Sequence, residues 1–252
     1  PGRSVSAARL EKTGAATLHE ALKGFAGVQI KDYGGIGGLK TVSIRNFGSA
    51  HTGIIYDGIT LSDAQNGNVD IGRFDLEGLE SLKVEISGSD DIFRSARSNA
   101  AVGTLTINSA MPDFSESPTK ITARMRFASF ATYNPYLRIS QKIGRKWSVV
   151  AAADYLNSKG NYPFLIKNGE TVSKKIRENS DIESVRANLD VYGNFESSGE
   201  LRIKASYFDS ERGLPGSVVL YTDNPIERLW DRDGLVSALY MVTPSERWRI
   251  RA

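Results

Sequence analysis

The sequence contains no cysteine and only two histidines, His19 and His51, among its 252 residues. The missing cysteines exclude disulfides, thiolate metal ligands and a thiol nucleophile, and two imidazoles are too few for a histidine-rich metal site. No apolar stretch approaches the roughly 20 residues of a membrane-spanning helix. Excess charge is also small, since 32 basic and 29 acidic residues leave a net charge of +3. We therefore expect no resident cofactor or metal, and no nucleic-acid partner.

Glycine, in contrast, is abundant, and it is densest in YGGIGG, Tyr33 to Gly38. A phosphate-binding loop of the Walker A type needs Gly-Lys-Ser/Thr in direct succession, but here Leu39 separates Gly38 from Lys40. A strand-like run follows, whereas phosphate binding depends on a helix N-terminus. We therefore expect no nucleotide site. The residues leave two interpretations open, a plain turn or a loop that contacts a ligand.

The first 110 residues mix helix and strand signals. Thr17, with Glu20 three positions later, has capping-box spacing and predicts a short helix that stops at Gly27. Strand-like runs follow at KTVSIRN, TGIIYDGI, LKVEIS and VGTLTINS. Asp57 with Gly58 is most simply a hairpin turn. This pattern predicts an α+β domain.

From Thr119 onward, apolar and polar residues alternate strictly. In the first such run Ile121, Met125 and Phe127 share one face, and Arg124 and Arg126 share the other. Six or seven antiparallel strands of about ten residues are expected.

The connections between these strands are unequal in length. GRK at Gly144 to Lys146 reads as a tight turn, and a short first loop is expected near YNP. About 25 residues are expected between the third and fourth strands, and again between the fifth and sixth. Such asymmetry is typical of an outer-membrane barrel. In that case more strands should follow Ala252, because an open sheet edge is costly in lipid. A soluble sandwich, with the apolar face as its core, is the alternative.

Four motifs occur in an order that resembles the plug domain of TonB-dependent outer-membrane receptors: LHEALKGFAGVQI, GGIGGLKTVSIRN, HTGIIYDGITL and NAAVGTLTINS. The strands that follow resemble the opening strands of the family's large barrel. The resemblance implies a plug domain over 1–112 and truncated N-terminal barrel strands over 113–252. The fold class is then an α+β plug followed by antiparallel transmembrane β-barrel strands. SIRN and ERGLPG are most similar to the cobalamin-receptor branch.

The resemblance also implies a function. The chain would belong to a receptor, not an enzyme, for energy-coupled uptake of a bulky, scarce nutrient across the outer membrane of a Gram-negative bacterium. Cobalamin or a related corrinoid is the first expectation, a ferric siderophore or another nutrient the second, and such a cargo can itself contain a metal. Implied partners are the TonB-ExbB-ExbD energising complex, outer-membrane lipid and, in some bacteria, a surface lipoprotein. A soluble β-rich binding module without transport is the alternative of a different class.

The glycine-rich loop at Tyr33 to Gly38 becomes a candidate for ligand contact by this resemblance. The loop SDAQNGN, Ser62 to Asn68, is a second candidate, because its amides and carboxylate can hydrogen-bond a ligand, although Asn-Gly is first of all a turn signal. Their candidate residues are Lys31, Asp32, Tyr33, Ile36 and Gly37 in the first loop, and Asp63, Gln65 and Asn66 in the second. Arg45, next to Ile44 on a predicted strand, is either a solvated charge or a buried lock between the plug and a barrel carboxylate, and the resemblance implies the lock. The family's Arg-Gly-Pro is replaced here by Ser87, Gly88 and Ser89, so Arg94 and Arg97 are candidates to supply the missing lock.

Overall fold

The chain folds into two compact units. The computed structural model describes residues 3–6, 14–15, 17–36, 38–62, 67–86, 91–195, 199–216, 225–245 and 247–252. The first unit comprises Pro1–Tyr33 and Leu39–Met111, and the second comprises Gly34–Gly38 and Pro112–Ala252. Among the described helices, none combines the length and the apolar character that crossing a bilayer requires.

A five-stranded mixed sheet forms the centre of the first unit, in the order β1-β6-β7-β4-β5. Its strands are β1 (Arg3–Ser6), β4 (Thr52–Tyr56), β5 (Ile59–Leu61), β6 (Leu79–Ile86) and β7 (Gly103–Ser109). A separate hairpin pairs β2 (Val28–Asp32) with β3 (Lys40–Ile44). The helices are α1 (Leu18–Lys23) and α2 (Ala96–Ala100), with 3-10 turns at Ser49–His51 and Ile71–Arg73. These elements enclose a core that includes Leu22, Ile44, Ile71, Leu82 and Leu105.

The short helix begins where the sequence predicts, but it ends earlier. Thr17 occupies the N-cap position without a side-chain capping bond, so its half of the predicted capping box does not form. Its Oγ1 lies instead 3.3 Å from His19 Nε2. Gly24, not Gly27, caps the C-terminus. Gly27 has a φ of 77° and serves the next turn, just before β2.

The strand predictions for this unit are confirmed. Asp57 and Gly58 form the predicted turn between β4 and β5, with φ angles of 47° and 85°. The Asp57 carboxylate also forms hydrogen bonds that no sequence pattern indicates. It accepts hydrogen bonds from the backbone N–H of Ser109, at 2.7 Å, and from its hydroxyl, at 2.8 Å. The turn is thereby tied to the end of β7.

A seven-stranded antiparallel sheet dominates the second unit, in the order β16-β15-β14-β13-β10-β9-β8. The strands are β8 (Thr119–Ala128), β9 (Thr132–Ile143), β10 (Trp147–Ser158), β13 (Ile182–Asn194), β14 (Glu200–Gly213), β15 (Arg228–Ser245) and β16 (Trp248–Arg251). A hairpin of β11 (Pro163–Asn168) and β12 (Thr171–Ile176) lies in the connection from β10 to β13. In the described residues β8 and β16 are the two edges of an open sheet.

Two details of the connections were predicted wrongly. The first turn is not at YNP but at Ser129 to Ala131, where Phe130 and Ala131 have φ angles of 64° and 53°. Phe and Ala are not among the residues that mark turns in a sequence. Pro135 lies inside β9. The connection from the fifth strand to the sixth spans only 214–227, because β14 and β15 extend further than the alternation predicts.

The sheet of the second unit has inverted sidedness compared with a water-soluble sheet. Its apolar side chains are exposed, as with Ile121 at 65% and Phe127 at 73%. The residues on the opposite face are polar and buried, among them Asn134, Asp154 and Asp190. A soluble sandwich requires the reverse, since its apolar face forms the core. The predicted fold class is confirmed, and the soluble alternative does not match this burial.

Candidate functional site

The glycine loop, residues 33–38, is flanked by a cross-strand ion pair. Asp32 on β2 is opposite Lys40 on β3, and Lys40 Nζ lies 2.7 Å from Asp32 Oδ1. The next backbone link closes the loop, with the N–H of Tyr33 donating to Leu39 O at 3.0 Å. Asp70 supports β3 from outside the hairpin by accepting from the backbone N–H of Lys40 at 3.1 Å. Lys40 is thus a residue of the site that was not predicted from the sequence. Its place opposite Asp32, across the predicted turn, is the feature that indicates it.

The loop itself turns so tightly that its glycines are required. Gly34 and Gly35 have φ angles of 129° and 47°, which disfavour side chains. At Gly38 the constraint is contact, because an added Cβ would lie 1.9 Å from the carbonyl oxygen of Gly34. The loop is therefore a tight turn, and contact between this turn and a ligand stays a prediction.

Exposed side chains at this loop offer a cation beside a phenol ring. Lys31 Nζ lies 4.8 Å from the centre of the Tyr33 ring. Tyr33 and Ile36 are exposed, at 51% and 39%. An aromatic body, a phenol and an ammonium group can together contact a polar, partly apolar ligand. Asp32 differs from these candidates because its carboxylate already binds Lys40.

Four of the predicted contact residues cannot be placed in this way. Gly37 in the first loop, and Asp63, Gln65 and Asn66 in the second, lie outside the described residues. Contact between the ligand and any of the eight candidates stays a prediction.

His19 adds a titratable group beside the ion pair. Burial lowers the pKa of His19 below its ordinary value, and the positive charge of Lys40 lowers it further. The carboxylates of Glu20 and Asp32 act on this pKa in the opposite direction with smaller effect. His19 is therefore biased toward its neutral form in the folded protein.

The Tyr162 ring lies next to the part of the loop that groups with the second unit. A Cβ on Gly35 would lie 3.5 Å from Cε1 of Tyr162, within the same compact unit. The Tyr162 ring is 6.1 Å from that of Phe130 and 6.4 Å from that of Phe164. No sequence pattern indicates these rings, because they come from different connections.

The three candidate lock arginines have different environments. Arg94 has a nearly buried side chain, with Nη2 3.4 Å from Glu85 Oε2 and a hydrogen bond to Thr104. Both partners lie in the first unit. Arg45 is exposed and follows β3, in a turn with a φ of 52°, and so does not lie on the strand as predicted. Arg97 is exposed on α2. A lock function for any of them stays a prediction.

The polar face of the second unit's sheet carries a network of ion pairs. Arg186 Nε lies 2.8 Å from Asp154 Oδ1, and Asn134 Nδ2 donates to Asp154 Oδ2 at 3.1 Å. Lys204 Nζ lies 3.1 Å from Asp190 Oδ1. The network is made of cations paired with acids, and the described residues contain no group of His, Asp and Glu suited to a metal ion.

Comparison with known proteins identifies the first unit. Residues 2–101 match the family model of the TonB-dependent receptor plug domain. This part of the chain is a TonB-dependent receptor plug domain. One relative is the vitamin B12 transporter BtuB of Vibrio vulnificus (strain YJ016), 29% identical over 94 residues, which are 35% of this chain and 15% of BtuB.

Solved structures of transporters share the fold of the plug domain and the strands that follow it. The copper transporter OprC matches 99% of this chain and 36% of its own, with a TM-score of 0.73 at 12% identity. The unliganded ferric citrate transporter FecA matches 100% of this chain and 38% of its own, with a TM-score of 0.71 at 15% identity. The chain therefore spans little more than a third of the length of these structures. The structural similarity establishes the fold. At such low sequence identity it does not identify the cargo.

Proposed function

We infer that this chain is the plug domain and first barrel strands of an outer-membrane receptor, which binds a bulky, scarce nutrient and takes it up with energy from TonB-ExbB-ExbD. The match of residues 2–101 to the TonB-dependent receptor plug domain supports this, and the relatives named above are transporters. The chain acts by binding and release and not by catalysis.

The observation that carries the proposal is the exposure of the sheet's apolar face. Several kcal/mol would be lost by leaving side chains such as Ile121, Phe127 and Val236 in water, whereas lipid accommodates them. A lipid-facing apolar band with a polar interior is the pattern of transmembrane barrels.

Aromatic side chains near both ends of the strands support the same placement. Phe127, Tyr133 and Tyr155 stack in sequence at one end, with ring centres 5.8 and 6.3 Å apart. Trp147 packs against Phe195 at the other end, at 5.3 Å. Aromatic residues concentrate at the two membrane–water interfaces of barrels. The strands are long enough, since β9 and β10 have 12 residues each and about 9–11 suffice to cross.

The cargo we propose is cobalamin or a related corrinoid. This rests on the likeness to the vitamin B12 transporter and on the motifs SIRN and ERGLPG. A ferric siderophore is the second candidate, favoured by the exposed ammonium of Lys31 beside Tyr33, which suits an anionic chelate. In both cases the predicted contact residues of the glycine loop would meet the cargo. Outer-membrane lipid and, in some bacteria, a surface lipoprotein are the further proposed partners.

Two measurements test this proposal separately. The intact receptor should need detergent for extraction and migrate differently on a gel before and after heating, because a folded barrel resists unfolding by detergent. Extraction without detergent would contradict the membrane placement. Deletion of the receptor in a strain without a redundant one should abolish uptake of labelled cobalamin. Unchanged cobalamin uptake, with loss of ferric siderophore uptake, would replace the corrinoid by the second candidate.

A further inference from the structure

The hairpin of β11 and β12 has one face that is exposed throughout. Residues paired across an antiparallel ladder point to the same side, and the register places six residues together. They are Pro163 with Ile176, Leu165 with Lys174, and Lys167 with Val172. All six are exposed, including Leu165 at 66% and Val172 at 56%. We call these six residues the hairpin outer face.

The opposite face of the hairpin packs within the unit. The Phe164 ring lies 6.4 Å from the Tyr162 ring and 5.6 Å from the guanidinium of Arg177. The backbone N–H of Arg177 donates to Tyr162 O at 2.9 Å, which fixes the hairpin at its base. Phe164 thus packs on one face of the hairpin, and the outer face is the other one.

The outer face combines apolar side chains with two lysines and has no acidic residue. Such a surface is complementary to the headgroup region of an anionic lipid layer. There the apolar side chains are removed from water, and the lysine ammonium groups bind phosphates. A face of six side chains is small for a protein partner, since standard protein interfaces use about 20–30 residues a side.

Aromatic residues at one end of the strands lie next to the start of the hairpin. Tyr162, just before β11, contacts the Phe130 ring at the β8–β9 turn, next to the Phe127–Tyr133–Tyr155 stack. If that stack marks a membrane interface, as the proposed function requires, the hairpin begins at the level of the lipid headgroups. We propose that the hairpin outer face binds the phosphate groups of anionic lipid in the outer leaflet.

The test compares lipid retention by the intact receptor and by single variants. The receptor is placed in nanodiscs of phosphatidylcholine with or without phosphatidylglycerol, and the lipids that remain bound are counted by native mass spectrometry. Lys167→Gln and Lys174→Gln should each lower the preference for the anionic lipid by about fivefold, the value of one lysine near a charged surface. Lys175→Gln is the matched control, because Lys175 lies on the opposite face of the same hairpin. The preference should also fall as salt is added.

The outcomes separate this inference from the proposed function. Heat-modified migration of each variant verifies that the receptor is folded in lipid, so a loss of lipid preference cannot be mistaken for unfolding. Equal retention of both lipids by a folded receptor would overturn the inference and leave the proposed function intact. An equal effect of all three substitutions would also overturn it, because the binding would then not depend on this face. A receptor that never enters the nanodisc would contradict both.

Discussion

Asp32 and Lys40 form an ion pair of 2.7 Å across the mouth of the glycine loop, and the two partners differ strongly in burial. The Lys40 side chain is 3% exposed, whereas that of Asp32 is 41% exposed. A buried ammonium group needs a partner, because removing one partner of a buried pair leaves an uncompensated charge. The pair therefore holds the two strand ends together where the candidate ligand loop starts. Asp32 thus positions the loop, in addition to being a candidate for ligand contact.

Replacing Asp32→Asn should loosen the base of the loop. The amide cannot neutralise Lys40, and we expect the free energy of opening to fall by about 1–3 kcal/mol. Hydrogen exchange of the Tyr33 amide, which donates to Leu39 O, measures this opening. The double variant Asp32→Asn/Lys40→Met should recover part of the loss, because it removes the buried charge as well. Wild-type protection in Asp32→Asn would show that the pair does not hold the loop.

Replacing Gly38→Ala should distort the loop. The new Cβ would meet the carbonyl oxygen of Gly34 at 1.9 Å, and backbone cannot move aside as a flexible side chain can. We expect a loss of at least about 2 kcal/mol in unfolding free energy, as for overpacked sites. Denaturant unfolding of the plug domain measures it. Gly24→Ala is the control, since its Cβ would have only an ordinary contact, 3.6 Å from Ala21 O. Equal stability of the two variants would contradict the tight turn.

Acidification should destabilise the plug domain through His19. Its pKa is lowered in the folded state, by burial first and by Lys40 second. Below the ordinary pKa of about 6.5 the unfolded chain therefore binds a proton that the folded protein resists. The contribution of neutral His19 is present in full above this pH and is lost as the pH falls below it. Unfolding measured between about pH 7.5 and 5 should show this loss, and His19→Gln should reduce the pH dependence. An unchanged dependence in His19→Gln would assign it to other groups.

Replacing Arg228→Lys should release the connection 214–227 at its base. The Arg228 guanidinium makes two bonds to Asp181, at 2.8 and 2.9 Å, and one to Glu211 at 3.1 Å. Lysine cannot reproduce this forked geometry, so proteolysis between residues 214 and 227 should become several-fold faster. Arg232→Lys is the matched control, because the exposed pair of Arg232 with Asp209 contributes little. Equal cleavage of both variants would mean that Arg228 does not hold the connection.

Features with a local sequence signal were predicted correctly. The strands of the plug domain and the alternation from Ile121 to Phe127 were predicted, because residue type and a period of two are properties of neighbouring residues. Features with a weak sequence signal, or with partners far apart in the sequence, were not predicted. The turn at Phe130 and Ala131 uses residues that rarely adopt positive φ. The pairing of Arg94 with Glu85 joins residues from different elements, and no local pattern announces it.

A glycine-rich α+β half and a half of two-faced strands can be predicted from the amino-acid sequence, since both follow from composition and periodicity. Which face of these strands is exposed depends on how the chain folds. The alternation is the same whether the Ile121 side chain points into a core or out of it. The structure shows that it points out, because Asn134, Asp154 and Arg186 contact one another on the buried face. The role of Lys40 in supporting the glycine loop likewise depends on folding, because its burial and its partner across the hairpin exist only in the folded chain.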